Sequence, residues 1–118
     1  MGELIEINQK RVFTLEDAEA LLPIVNRITR TYKTEANKLN TQISLCPSST
    51  RRRALEQTLK EVFQQWTSKM MRLGCDAKGM WLVDFDNGEG YYCWHFPEDH
   101  ISYYHGYHDG FQGRLRIV

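Results

Sequence analysis

The chain has no cysteines at CxxC spacing and no even cysteine count. Cys46, Cys75 and Cys93 are its three, which argues against a disulfide framework and against a zinc ribbon, and leaves reduced thiols in a cytosolic compartment as the expectation. It has no excess of charge of either sign. Fifteen basic residues balance fifteen acidic ones, so no global field draws nucleic acid or an anionic membrane, and only a local cluster could do so. No apolar run approaches the roughly 20 residues of a membrane span, and no charged-then-apolar leader opens the chain, so a cytoplasmic protein without a membrane partner is expected. At 118 residues there is little room for a second domain; one domain, 1–118, is expected, large enough to bury a core without staples. Hydrophobic content of 42% with 25% charged residues is that of a globular chain, not a disordered one.

What the chain does have comes in two periods. Residues 4–7 alternate briefly and could form an edge strand. Phe13-Thr14-Leu15-Glu16-Asp17 then has the form of a helix start: the Thr14 hydroxyl can accept an orphan amide proton, and acids in the first turn complement the helix dipole. Apolar residues follow at Ala18, Leu21, Leu22, Val25, Ile28, Tyr32, Ala36, Leu39 and Ile43, in the steps of three and four that one buried helix face requires. Pro23 predicts a kink, or a short first helix with a second opening at the proline. Cys46-Pro47-Ser48-Ser49-Thr50 breaks the pattern and supplies caps. A second periodic run carries Leu55, Leu59, Val62, Phe63, Trp66, Met70 and Leu73, with Gly74 placed to terminate it. The expectation is an antiparallel helical hairpin over about 14–73. Its seam-like spacing predicts association with a second copy or another protein. Arg51-Arg52-Arg53 offers an anion or nucleic-acid patch; a solvated helix face paired to Glu56 is the preferred reading, because charge runs this short are common without nucleic acid.

Past Gly74 the period becomes twofold. Gly79 to Arg114 holds all four histidines and five of the six tyrosines. Met80–Phe85 and Tyr91–Phe96 alternate as strands around Asp86-Asn87-Gly88-Glu89-Gly90, which has hairpin-turn chemistry, and Ile101–His105 follows as a third strand. The predicted fold is α+β: a long antiparallel helical hairpin packed with a small three-stranded antiparallel β-meander, the meander and C-terminal segment filling about 79–118. Alternation puts Tyr92, Trp94 and Phe96 on the core face, and Tyr91, Cys93 and His95 on the other. There Cys93 or His95 could approach His105, with Asp84 near.

Several chemistries fit those residue types. Cys93, His95, His100, His105, His108 and an aspartate are metal-ligand types, but their spacing matches no strong motif, and no cofactor or metal is assigned. A Cys93 nucleophile with His105 as base is disfavoured, because a strand cysteine among aromatics is usually a small buried hydrophobe. A binding site of Asp84, His105, Asp109 and Arg114 needs less special geometry. In it, Asp84 or Asp109 holds a ring nitrogen of His105 and Arg114 binds the carboxylate.

The ordered pieces Phe13-Thr14, Leu21-Leu22-Pro23, Leu82-Val83-Asp84-Phe85, Cys93-Trp94, Glu98, Tyr104-His105 and Gly110-Phe111-Gln112-Gly113-Arg114 resemble a family of bacterial proteins, the domain of unknown function 2203. In that pattern arginine usually stands at His95, tryptophan at Tyr104, glycine at Trp81 and proline at Asp86. The resemblance implies the fold above and supplies no activity, substrate or cofactor. From the residues, the expected function is a non-enzymatic binding or assembly module acting through the hairpin and the aromatic sheet. The alternative is a small enzyme or metal-binding protein around Asp84, Cys93, His105, Asp109 and Arg114.

Overall fold

The computed structural model describes residues 11–118, so the expected edge strand at 4–7 lies outside the described residues. Two helices come first, α1 (Leu15–Leu45) and α2 (Ser49–Arg72). Five strands follow: β1 (Asp76–Gly79), β2 (Leu82–Asp86), β3 (Tyr91–His95), β4 (Tyr103–His105) and β5 (Leu115–Arg116), with a 3-10 turn at Phe111–Gly113 before the last. The strands pair in chain order, every neighbour antiparallel. The α+β hairpin-and-meander architecture therefore holds, with five strands in place of the expected three.

The helix boundaries follow from their caps. Thr14 accepts from the Asp17 amide at 3.0 Å while the Asp17 carboxylate accepts from the Thr14 amide at 3.3 Å, a reciprocal capping box. Ser48 accepts from Arg51 N at the start of α2. Gly74 ends α2 in the left-handed region, φ 88°, as its position predicted. Pro23 does not divide α1; one helix runs through it, with the proline exposed and on the side away from the buried face.

That buried face is Ala18, Leu22, Val25, Thr29, Ala36 and Leu39, set against Val62, Trp66 and Met70 of α2. Thr29 is a polar residue in the apolar stripe, and it is there for Trp66, whose indole Nε1–H donates to its hydroxyl at 2.9 Å. A buried indole N–H without a partner costs about 1–3 kcal/mol, so the hydroxyl replaces a methyl to satisfy it. At the far end of the hairpin Ile43, Leu55 and Leu59 remain half-buried and Leu45 is exposed.

The sheet splits by alternation. Trp81, Val83, Phe85, Tyr92 and Trp94 face the helices and join their core, with Val83 opposite Trp94 and Phe85 opposite Tyr92. The opposite face carries Asp84, Cys93, Tyr91, Tyr103 and His105, and Cys93 and Tyr91, although buried, stand outside the helix-facing cluster.

The two unpredicted strands have weak patterns for physical reasons. β1 reads Asp-Ala-Lys-Gly, with no large apolar residue to set a face. It forms because Gly74 reverses the chain and lays Asp76 opposite Asp84. β5 is two residues long, too short for any period. The expected start of the first strand at Met80 is also corrected. Trp81 has φ 66°, a left-handed conformation that a bulky residue seldom adopts, so Met80-Trp81 is the β1–β2 turn and the strand begins at Leu82. The third strand likewise begins at Tyr103, not Ile101, because the Ile101 amide is spent on Glu19 Oε1 at 3.0 Å. Among the described residues no helix is long and apolar enough to cross a membrane.

Candidate functional site

Register decides which polar groups meet. Antiparallel pairing sets Asp84 opposite Cys93, Cys93 opposite Tyr103 and Tyr91 opposite His105, so Asp84, Cys93 and His105 lie on adjoining strands of one face. All three are buried, Asp84 to 2% and His105 to 4% exposure. His105 Nε2 lies 3.0 Å from Asp84 Oδ1, and His105 Nδ1 lies 2.8 Å from the carbonyl of Gly106. A carbonyl only accepts, so Nδ1 carries a proton and donates it. Nε2 and a carboxylate oxygen would both be acceptors in the neutral-ring, ionised-acid form, so their contact requires one further proton between them.

The chain closes around this pair with little space to spare. Gly90, at the foot of β3, runs so near β4 that a Cβ there would come within 2.6 Å of the His105 carbonyl oxygen. Gly106 is bare in the same way, since a Cβ would meet the Asp109 carboxylate that accepts its N–H at 3.2 Å. Asp109 is therefore a local cap for the turn whose carbonyl fixes His105, and the expectation that it could hold the ring itself is corrected: Asp84 does.

Beyond Asp84 the network continues through sulfur. The Cys93 sulfur stands near Asp84, its cross-strand partner, and near the Arg114 guanidinium. Burial, helped by the Asp84 charge, pushes the thiol up to about 12. Burial likewise lifts the Asp84 carboxyl above its ordinary 3.8, against the opposing pull of His105, Cys93 and Lys78.

Arg114 does not bind the carboxylate of Asp84 or Asp109. It makes a two-pronged pair with Glu98, Nη1 to Oε1 at 3.1 Å and Nη2 to Oε2 at 2.7 Å, and its plane lies over the rings of Tyr103 (3.8 Å) and Phe111 (4.2 Å). Geometry explains the choice. Glu98 sits in the turn after β3, where its Oε1 also accepts the His95 amide at 2.9 Å, so its carboxylate faces the C-terminal segment. Burial alone would lower the Arg114 pKa, but the Glu98 hydrogen bonds and charge outweigh it.

His105, Asp84, Cys93, Arg114 and Glu98 thus form one polar chain across the outer face of the sheet. Next to it lies a cavity of about 310 Å³, bounded by Asp84 and His105 on its floor and by Lys78, Tyr91, Tyr107 and Phe111 around them. Tyr107 is held by a 2.7 Å hydrogen bond to Asp86. A larger cavity of about 420 Å³ lies beside α1, but Glu19 and Asn26 in its wall are already bonded to Ile101 N and Arg30.

The remaining histidines stay apart from the cluster. His95 packs on Phe111, His108 is exposed, and His100 borders the α1 cavity. Asp84, Cys93 and His105 are the group among the described residues whose ligand atoms, one from each, lie within 4.8 Å of one another.

Residues 11–117 match the family model described as Uncharacterized conserved protein, DUF2203. The chain belongs to this family. No curated protein and no solved structure matches it. The matched span contains every residue of the polar chain, and the family-like motifs of the sequence supply both ends of its ion pair, Glu98 and Arg114. That pairing is what residue chemistry alone missed; Glu98 and the Gly-Phe-x-Gly-Arg ending, both parts of one ordered pattern, were the signal available for it. Lys78 and Tyr107, walls of the cavity, carried none.

Proposed function

We propose that this DUF2203 member is a small-ligand-binding protein whose site is the cavity on the outer face of the sheet, under the segment Gly106–Arg114. The supporting observation is the buried Asp84–His105 pair on the cavity floor. Replacing a buried ion pair by apolar residues of similar volume is often neutral or stabilising, by about 1–4 kcal/mol. Stability alone gives no reason to keep ionisable groups there, and perturbed titratable groups bordering a cleft are the common mark of a site. The walls favour a ligand with a flat apolar body against Tyr91, Tyr107 and Phe111 and an anionic group toward Lys78. Asp109 and Arg114 serve the site indirectly, by holding the segment that covers it.

Benzoate, with benzamide as its uncharged counterpart, is the simplest probe. Titrated into 15N-labelled protein, benzoate is expected to shift the amides of Lys78, Leu82, Asp84, Tyr91 and His105 more than benzamide does, and Lys78→Ala is expected to erase the difference. Shifts confined to the helical hairpin would refute this placement.

Self-association through the hairpin is a second reading, favoured by the exposed Leu45 beside half-buried Ile43, Leu55 and Leu59 at its far end. Sedimentation at micromolar concentration tests it: Leu45→Glu is expected to convert a dimer to monomer, and a wild type that is monomeric throughout sinks the idea.

A further inference from the structure

We infer that Asp84, Cys93 and His105 bind a divalent transition-metal ion of the zinc class, with an open coordination position turned toward the adjoining cavity. The inference rests on the binding reading above and gives its ligand a chemical class.

Three observations carry it. The first is donor set and distance: one carboxylate oxygen, one thiolate sulfur and one imidazole nitrogen, within 4.8 Å of one another on neighbouring strands. Mixed nitrogen, sulfur and oxygen donors suit zinc, cobalt and their neighbours, whereas magnesium and calcium want several oxygens. Three protein donors leave the fourth tetrahedral position free, the arrangement of an open site. Asp84 and His105 border the cavity, so that position opens onto it.

The second is the outer ring of hydrogen bonds. Metal-bound histidines usually give their other ring N–H to a carbonyl or carboxylate, which fixes the tautomer and aims the free nitrogen. His105 Nδ1 is held in that way by Gly106 O at 2.8 Å, leaving Nε2 toward the cluster. The Arg114 guanidinium stands near the sulfur, held in place by its paired bonds to Glu98.

The third is charge. A carboxylate, a thiolate and a neutral imidazole carry two negative charges, which a divalent ion cancels, so the bound ion leaves no net charge buried.

The test uses the full chain, stripped with chelator and titrated with cobalt(II) chloride under nitrogen. Uptake of one equivalent is expected, with a sulfur-to-cobalt charge-transfer absorption in the near ultraviolet and ligand-field bands of a four-coordinate ion, all abolished by an equivalent of zinc. Cys93→Ser is expected to lose the charge-transfer absorption while remaining folded by circular dichroism. Should that variant not fold, a Cys46→Ser, Cys75→Ser chain isolates the same sulfur: the absorption must persist there, and its absence overturns the assignment. No stoichiometric cobalt uptake by the wild type, or an absorption that survives Cys93→Ser, also overturns it. Failed cobalt uptake with benzoate shifts still mapping to the cavity removes the metal and leaves the binding reading standing.

Discussion

Trp81 allows a sharp test of the packing, because its backbone and its side chain pull in opposite directions. Its φ of 66° costs an L-residue about 1–2 kcal/mol. Its ring, 7% exposed, packs 5.0 Å from Trp66 and 5.8 Å from Phe63, both edge-on. Removing such a ring costs about 3–5 kcal/mol. Trp81→Gly recovers the backbone cost but gives back about 0.5–1 kcal/mol in unfolded-chain entropy. The net is a loss of about 3 kcal/mol, which at a urea slope of about 2 kcal/mol per molar is a midpoint lower by about 1.5 M. Trp81→Ala isolates the backbone term, since it loses the same ring yet keeps the positive φ. The glycine variant should therefore be the more stable of the two by about 1 kcal/mol, the reverse of the usual order for these residues. Equilibrium urea unfolding followed by far-ultraviolet circular dichroism measures both. An alanine variant equal to or more stable than the glycine one would refute the argument that this turn is strained.

The thiols should divide by environment. Cys75 and Cys93 are buried with their pKa values pushed up to about 12, whereas Cys46 is half-buried at the helix turn. A disulfide reagent at mild alkaline pH is expected to titrate one thiol quickly in the folded chain and three in guanidinium; three fast thiols in the folded chain would contradict the placement of both strand-side cysteines. Gly90→Ala puts a methyl within 2.6 Å of a backbone oxygen that cannot step aside. A loss of about 2–4 kcal/mol is expected by urea unfolding, in the range of overpacking and strain, and a change within about 0.5 kcal/mol would show that β3 and β4 are not so close.

The hairpin was legible because its information is local. Thr14, Asp17, Ser48 and Gly74 each announce a helix end by their own chemistry, and the three-four spacing of apolar residues needs no partner to be read. The middle of the sheet was legible for the same reason: β2 and β3 alternate strongly around a glycine-rich turn. β1 and β5 were not, because Asp-Ala-Lys-Gly and Leu-Arg become strands only through pairing with neighbours. Trp81 misled because an aromatic at the head of an alternating run reads as strand, while its backbone adopts the left-handed conformation that favours glycine. The site was half visible. Asp84 with His105 followed from alternation and one guess of register, but Arg114 found Glu98 because a turn, not a strand, aims that carboxylate.

The polar chain also explains why a two-residue strand persists at the sheet's edge. β5 contributes little ladder of its own, yet Arg114, just before it, is clamped between two aromatic rings and paired twice with Glu98. On its other side Ile117 N donates to Ser102 O at 2.8 Å. The segment Gly106–Arg114 is thus fastened at both ends, by the Gly106 carbonyl on His105 and by Arg114 on Glu98, and arches over the outer face between them. Polar contacts fasten its two ends, while Tyr107 on Tyr91 and Phe111 on His95 pack its middle against the sheet and border the cavity. The same residues that would be costly in a simple core therefore do two things together: they hold the cover in place, and they keep ionisable groups at the floor of the space it covers.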